Sequence, residues 1–585
     1  MSDLLNQASL VYIPSGYKED TAYSVIPTDG SGDLTFTRAS DGTRVNSAGL
    51  VENVPWNLCT YSEDQTQWTS QNATTVTANS TTAPNGTITA DTVTPTAVND
   101  DHYRGILLSS QVGELTAFIY VKPNGYNFFD WGIWNGSFYI VRATFDLVNL
   151  TYTFTIPGTA TIESVGNGWL KCGISGSNAS LSTIGLYYRT RPTGGSGFFT
   201  GNGTSGAFVW GAQLNTGTTA KPYFPTTDRQ NVPRLTYEGG CASLLLEPQR
   251  TNLILQSEAF GSASWSAFNA SVSSNVSATL DPQGYYGADK LVEDSSSAYH
   301  DADQVQTYTA AAYTISVFAK AAGRNHIFLQ HFDGSTFFTS GTFNLADGTI
   351  SGVGTIENYG NGWYRCSYTA TTASGTGKSY INLSNGTTGN YQGDGTSGVY
   401  IWGAQLEAGS YPTSYIPTTS AAVTRVADLA SAPQGTHGNF GTNPFCVFLD
   451  VNFAKLSSTG AIALLGNRQS SNWWRIYSNG SEFRLELNGS NGFVSDIFLN
   501  QGTLTSRTKI AFNRNGNDMK IYVNGSQTFA ASSAVYSSDF TTGNTQIDFN
   551  SWYAGVYEIT ATEYNEVVLF KQSLTASELA ALTTL

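Results

Sequence analysis

The chemistry open to this chain sits in a few short phrases. Glu482 and Glu486 lie on one strand-like run, Glu482-Phe483-Arg484-Leu485-Glu486. Glycoside hydrolysis needs two carboxylates about 5–5.5 Å apart for retention or about 6.5–9.5 Å for inversion. The run lacks an acid between its glutamates, so it reads as two exposed strand acids, and no enzyme is expected. His326 and His331 are five apart on a strand and face opposite sides, which spoils a metal pair. No phosphate-binding loop, nucleophile elbow or zinc spacing occurs. Gly393-Asp394-Gly395-Thr396 could offer oxygens to calcium. Its counterpart Gly201-Asn202-Gly203-Thr204 carries Asn instead, and tight-turn geometry accounts for both phrases. No catalytic residue, cofactor or resident metal is therefore assigned, and structural calcium is left open.

Binding chemistry is better supplied. A sugar ring offers an apolar face to flat aromatics and hydroxyls to Asn, Asp or Arg. Phe128-Phe129-Asp130-Trp131-Gly132-Ile133-Trp134 runs through an Asn-Gly turn into Tyr139, and Trp134 and Tyr139 are candidates. Trp131 reads as core, because the matching position elsewhere in the chain is Leu329. A second cluster is Trp473-Trp474-Arg475-Ile476-Tyr477, with candidates Trp473, Trp474, Arg475 and Tyr477. A third is Trp552-Tyr553. Adjacent tryptophans on a strand face opposite ways, so one of Trp473 and Trp474 belongs to the core.

The elements that must position these residues come from a duplication. Gly166-Asn167-Gly168-Trp169-Leu170-Lys171-Cys172 returns as Gly360-Asn361-Gly362-Trp363-Tyr364-Arg365-Cys366. Trp210-Gly211-Ala212-Gln213-Leu214 returns as Trp402-Gly403-Ala404-Gln405-Leu406 at nearly the same separation. Asn57-Leu58, Ser62-Glu63 and Ala90-Asp91 match Asn252-Leu253, Ser257-Glu258 and Ala288-Asp289. The period is that of a whole domain and not of a solenoid unit. The recurring tryptophans, and Cys172 with Cys366, read as structural. The segments are an N-terminal anchoring or oligomerisation piece (1–54), copy one (55–228), an ordered connector (229–251), copy two (252–420), a linker (421–442) and a third module (443–585). Residues 1–54 are too short and polar for their own core and must pair with another segment or subunit. In the third module Met519–Val523 before Asn524-Gly525 reads as a hairpin. Leu574–Leu582 is a helix capped by Thr575 or Ser577.

Composition agrees with an all-β chain of tandem antiparallel β-sandwiches and a short C-terminal helix. Of 585 residues only 12% are charged, against roughly 25% in ordinary soluble proteins. The 60 glycines suit tight turns, and the 32 tyrosines and 31 phenylalanines suit strands. A net charge of −15 with no basic patch argues against nucleic acid and against anionic lipid. Five cysteines, an odd number, give no disulfide framework. The first residues do not read as a secretory signal, and no run is apolar enough to insert in a membrane.

Two phrases resemble structural proteins of tailed bacteriophages. One is Leu34-Thr35-Phe36-Thr37-Arg38-Ala39-Ser40 with Thr43-Arg44-Val45-Asn46. The other is Val232-Pro233-Arg234-Leu235-Thr236-Tyr237 with Leu245-Leu246-Glu247-Pro248-Gln249-Arg250. The two copies resemble the carbohydrate-binding-module-like, jelly-roll sandwiches of phage fibres. The third module is similar to laminin-G/concanavalin-like domains, through Lys509-Ile510-Ala511-Phe512, Tyr522-Val523-Asn524-Gly525 and Leu574–Leu579. The resemblance implies a tail-fibre, head-fibre or baseplate-associated virion protein, made in the host cytoplasm and released by lysis. Its implied partners are bacterial surface glycan, other virion proteins and copies of itself, a trimer being favoured. A purely architectural decoration protein is the alternative, and a polysaccharide depolymerase is less favoured.

Overall fold

The computed structural model describes the chain apart from residues 1, 55–56, 196, 239, 434–441, 456–461, 468–472, 479–481, 490, 501–506, 539–545 and 550–560. For some strand residues, Tyr477 among them, only the backbone is described. The described residues are almost entirely antiparallel strands, as expected. None of their helices is long and apolar enough to cross a membrane. Residues 54–230 form one compact unit, and residues 1–53 with 231–585 form the other.

Copy one is a ten-stranded ladder that doubles back over its own core. Two long strands, Tyr103–Asn124 and Trp169–Arg191, pair with each other along most of their length. Irregularities at Leu108/Ser110 and Gln111/Gly113 mark where the pair changes layer. Copy two breaks both strands. Asp301–Tyr308 and Ala311–Ala322 replace the first, and Tyr364–Thr372 and Gly375–Ser384 replace the second. Its core lies between a seven-stranded and a six-stranded sheet, with Ile327, Leu329 and Ile381 meeting Ile315, Val317 and Leu406.

The repeated phrases are staples. Asn167-Gly168 and Asn361-Gly362 all have positive φ, so each pair closes a tight hairpin that few other residues allow. Gln213 donates to the carbonyls of Lys221 and Pro222 and accepts from Phe224 N–H. Gln405 does the same with Thr413, Ser414 and Ile416. Asp91 and Asp289 each accept two backbone N–H groups. Trp169, Trp210, Trp363 and Trp402 are buried, as are Cys172 and Cys366.

The third module recruits distant chain. Leu10–Tyr12 pairs antiparallel with Ala561–Phe570, and the connector strands Arg234–Glu238 and Cys241–Leu246 extend the same sheet. The opposing sheet takes Leu34–Thr37 and Leu429–Pro433. Leu10, Tyr12, Phe36, Leu235 and Leu246 join Phe445, Val447, Trp474 and Phe512 in one core. The N-terminal segment is thus part of the C-terminal sandwich, not a free-standing piece. Asp518–Val523 and Ser526–Ser532 form the expected hairpin around Asn524-Gly525. Helix Ala576–Thr583 is capped by Thr575 in a capping box with Glu578.

The segments around Arg38 and Arg234 meet in a buried ionic cluster. Arg38 donates to Asp428 at 2.9 Å, Arg234 pairs with Asp428 and with Glu247 at 2.7 Å, and Arg425 lies 2.8 Å from Glu247. None of the five is more than 2% exposed. Burial alone would raise the Glu247 carboxyl, but Arg425 and Arg234 hold it well below the usual carboxylate range. This cluster stands where copy two leaves and rejoins the frame. Asp428 N–H donates to Glu247 O, and beyond it Arg250–Asn252 pairs with Val423–Arg425.

Candidate functional site

Alternation on three neighbouring strands of copy two builds a cleft. On Asp301–Tyr308, Ala302 enters the core while Asp301 and Asp303 take the opposite face. On Gly375–Ser384, Ile381 and Leu383 are core, and Lys378, Tyr380 and Asn382 lie opposite. On His326–Phe332, Ile327 and Leu329 are core and Gln330 lies opposite. Register sets Asp301 beside Asn382, Asp303 beside Tyr380, and Tyr380 beside Gln330. Phe268 flanks Asp301 from the edge strand, and Phe337 stacks on Phe332 with ring centroids 4.4 Å apart. Tyr299 completes the wall. The cleft measures about 530 Å³, within the range of small-ligand pockets.

Its rim is apolar and its floor is polar. Phe268, Phe337 and Tyr299 are 56%, 57% and 47% exposed, which is unusual for rings of this size on a protein that has cores to bury them. The floor is formed by Asp301 and Asn382, 5% and 2% exposed. Among the described residues neither Asp301 Oδ1 nor Asn382 Nδ2 has a hydrogen-bond partner. Each such group costs about 1–3 kcal/mol while unsatisfied. Asp303 Oδ1 also lacks a well-aligned hydrogen bond among the described residues, but it is compensated in charge, because it lies 2.9 Å from the Lys378 ammonium. Desolvation, then the neighbouring Asp303 charge, push the Asp301 carboxyl up to about 7, against the pull of Lys378 and His300. An acceptor and a donor facing each other across a strand pair, about 4.5–5.5 Å apart at Cβ, match two adjacent hydroxyls. Exposed rings beside them match an apolar sugar face.

The corresponding face of copy one holds Trp134 and Tyr139, and there it is filled. Tyr187, equivalent to Tyr380 by register, lies against Gly105 and Gly185, where an added Cβ would come within 2.3 and 2.5 Å of its ring. Tyr139 covers Gly132 in the same way. Trp134 is half-buried with its ring centroid 6.1 Å from that of Tyr187, and the Arg142 guanidinium sits over Tyr139. Asp130 accepts from Arg142 at 2.6 Å, Arg191 at 3.1 Å and Thr144 at 2.6 Å. Arg189 donates twice to Asp101, both at 2.8 Å. Trp134 and Tyr139 therefore share a face, as expected of a site, but they close it.

In the C-terminal sandwich Trp474 is core, 2% exposed, because it falls on the inward side of Trp473–Ser478. Arg475 is buried against Glu486 at 2.5 Å and lies over the Trp473 ring. That ion pair fixes Glu486 and removes Arg475 as a ready sugar contact. Trp473 stays half-exposed near Phe493, with centroids 6.0 Å apart. The Tyr477 side chain, and Trp552 and Tyr553 altogether, lie outside the described residues.

Both carboxylate oxygens of Asp394 are already engaged by its own turn, through Thr396 N–H, Ser397 N–H and Ser397 Oγ. Asn202 makes the matching contacts in copy one. His331 is buried, and desolvation lowers its pKa to about 4. A repeated histidine pair escaped sequence reading. His102 and His300 each bridge two backbone segments, so they too are staples. The cleft residues Phe268, Tyr299, Asp301, Asp303, Phe337, Lys378, Tyr380 and Asn382 were also missed. Outward alternation at Asp301 and Asp303, on a strand bounded by His300, was the signal available.

No known family matches the chain in sequence, and no curated protein does. Among solved structures, the sialidase carbohydrate-binding module CBM40 of Ruminococcus gnavus bound to α2,3-sialyllactose is similar over 26% of this chain and 88% of that one. Identity is 12% and the TM-score 0.23. The binding domain of botulinum neurotoxin serotype G is similar over 26% of this chain and 39% of that one, at 14% identity and a TM-score of 0.23. The chain thus spans well under half of the toxin domain it matches.

Proposed function

We propose that this chain is a non-enzymatic adhesin of a tailed-phage virion, displayed on the particle as a fibre or appendage, and that copy two grips bacterial surface glycan. The copy-two cleft carries the reading. It joins exposed rings to a buried donor–acceptor pair that no described residue satisfies. Binding without catalysis is favoured because Asp303, the second acid in the cleft, is tied to Lys378. The virion role is supported by the two phage-like phrases, whose Arg38, Arg234 and Glu247 jointly build the buried ionic cluster. Weak single sites gain strength when several copies act together.

Copy one supports the architectural alternative for itself. Its face is closed, and its edge strand Thr151–Ile156 shows Tyr152 and Phe154, 40% and 41% exposed, to solvent or to another virion protein.

The test is co-sedimentation of the purified chain with bacterial cells, before and after periodate oxidation of their surface sugars. Periodate-sensitive binding that Phe337→Ala weakens is expected. Binding that survives periodate, or no binding to any of a broad panel of bacterial strains, would move the whole chain to the architectural role.

A further inference from the structure

The cleft has a charge preference built into its floor. Two carboxylates, Asp301 and Asp303, face one ammonium, Lys378. Lys378 is spent on Asp303, at 2.9 Å, and stands over the Tyr380 ring, 5.9 Å from its centroid. Asp301 is left with no cation in contact, 5% exposed, and with an oxygen that no described residue satisfies. Around it stand Phe268, Tyr299, Tyr380 and Phe337, whose ring faces attract positive charge. A buried carboxylate is tolerated where a proton or a cation neutralises it, and with Lys378 held by Asp303 the ligand is the remaining source of a cation among the described groups.

Copy one shows the contrast. Its equivalent face carries Arg142, Arg189 and Arg191 against Asp101 and Asp130, an excess of the opposite sign. At the position of Asn382 it has Arg189, and at the position of Asp301 it has Tyr103.

We propose that the copy-two cleft selects a glycan bearing a protonated amine, an amino sugar without its N-acyl group, with the ammonium seated on Asp301. The inference rests on the glycan-binding reading of the same cleft. The ammonium would sit between the Asp301 carboxylate and the aromatic wall, while Asn382 Nδ2 donates to a neighbouring hydroxyl. An N-acetyl group at that place would bring a neutral amide and added bulk to a site that needs a cation. A uronic or sialic acid would bring a carboxylate to the uncompensated Asp301. Asp303, Lys378, His300, Tyr299 and Tyr380 are the other titratable groups around Asp301. At pH 6, where both the sugar amine and Asp301 carry a proton, the incoming ammonium displaces the Asp301 proton, so binding releases protons.

One assay separates this inference from the reading beneath it. The 585-residue chain is bound to cells that are untreated, periodate-oxidised, or N-acetylated with acetic anhydride. Glucosamine hexaose and N-acetylglucosamine hexaose serve as soluble competitors. The expected result is loss of binding after either treatment. Glucosamine hexaose should displace the protein at least about tenfold more effectively than its N-acetyl form. Asp301→Asn, which keeps the shape, should erase that difference. Calorimetry in two buffers of different ionisation enthalpy should show proton release with wild type and none with the variant. Binding that is lost to periodate but unaffected by acetylation would overturn the amine inference and leave the glycan reading standing. Equal displacement by both hexaoses would do the same. Binding indifferent to periodate would overturn both.

Discussion

The same sheet face appears twice in this molecule, closed in copy one and open in copy two. Glycines make the difference. Gly105, Gly132 and Gly185 let the rings of Tyr187 and Tyr139 lie flat on the sheet, and an Asp–Arg network fills what remains. In copy two the equivalent positions are Asp303, Gln330 and Lys378. Their side chains occupy the sheet surface, the rings move to the rim, and a cleft remains. A duplicated scaffold can therefore keep one face for packing and free the other for a ligand by changing what stands beside one shared tyrosine.

The comparison is easiest to break from the closed side. Asp130→Ala takes the carboxylate from Arg142 and leaves Arg191 with Asp101 and the Gly197 carbonyl, and should cost copy one about 3 kcal/mol, read as a lower midpoint in urea. From the open side, Asp303→Gly with Lys378→Gly should let Tyr380 settle onto the sheet as Tyr187 does. Glycan binding should fall about a hundredfold, about 2.7 kcal/mol, with the circular dichroism spectrum unchanged.

Asp301→Asn probes cost against use. The folded pKa of about 7 is above the unfolded value near 3.9, so the native state holds the extra proton between these limits. The destabilising charge is fully present above pH 7 and is relieved as pH falls toward 4. The variant should thus gain stability at pH 8 and nothing at pH 4, by thermal melts at both. Phe337→Ala removes an exposed wall and should weaken binding by about 1 kcal/mol while leaving the melting point nearly unchanged. Smallest of all, Trp134→Ala should leave cell binding unaltered, because that ring belongs to the closed face. A marked loss with Trp134→Ala would mean that copy one also binds.

The duplicated frame was legible in the sequence because each repeated phrase does a local job. Asn-Gly turns, Gln213 and Gln405, and Asp91 and Asp289 act within a few strands of themselves. The alternation that separates Trp473 from Trp474 was also local. The cleft was not legible, because its rings are scattered in sequence at Phe268, Tyr299, Phe337 and Tyr380, and only strand register brings them together. The dense aromatic run lies instead in copy one, where clustering signals mutual packing. The pairing of Leu10–Tyr12 with Ala561–Phe570 was hidden for the same reason. Alternation tells which face a residue takes, not which distant strand lies beside it.

The short ladder that joins Arg250–Asn252 to Val423–Arg425 gives copy two the form of a cassette. Its two ends leave the frame side by side, gripped by the Arg234–Glu247–Asp428 cluster, which belongs to the frame and not to the cleft. Whatever is spliced in above that ladder inherits a ready-made mount. Recombination could then exchange one outward face for another in a single step while the C-terminal sandwich keeps its core, so the cleft can evolve faster than the frame that holds it.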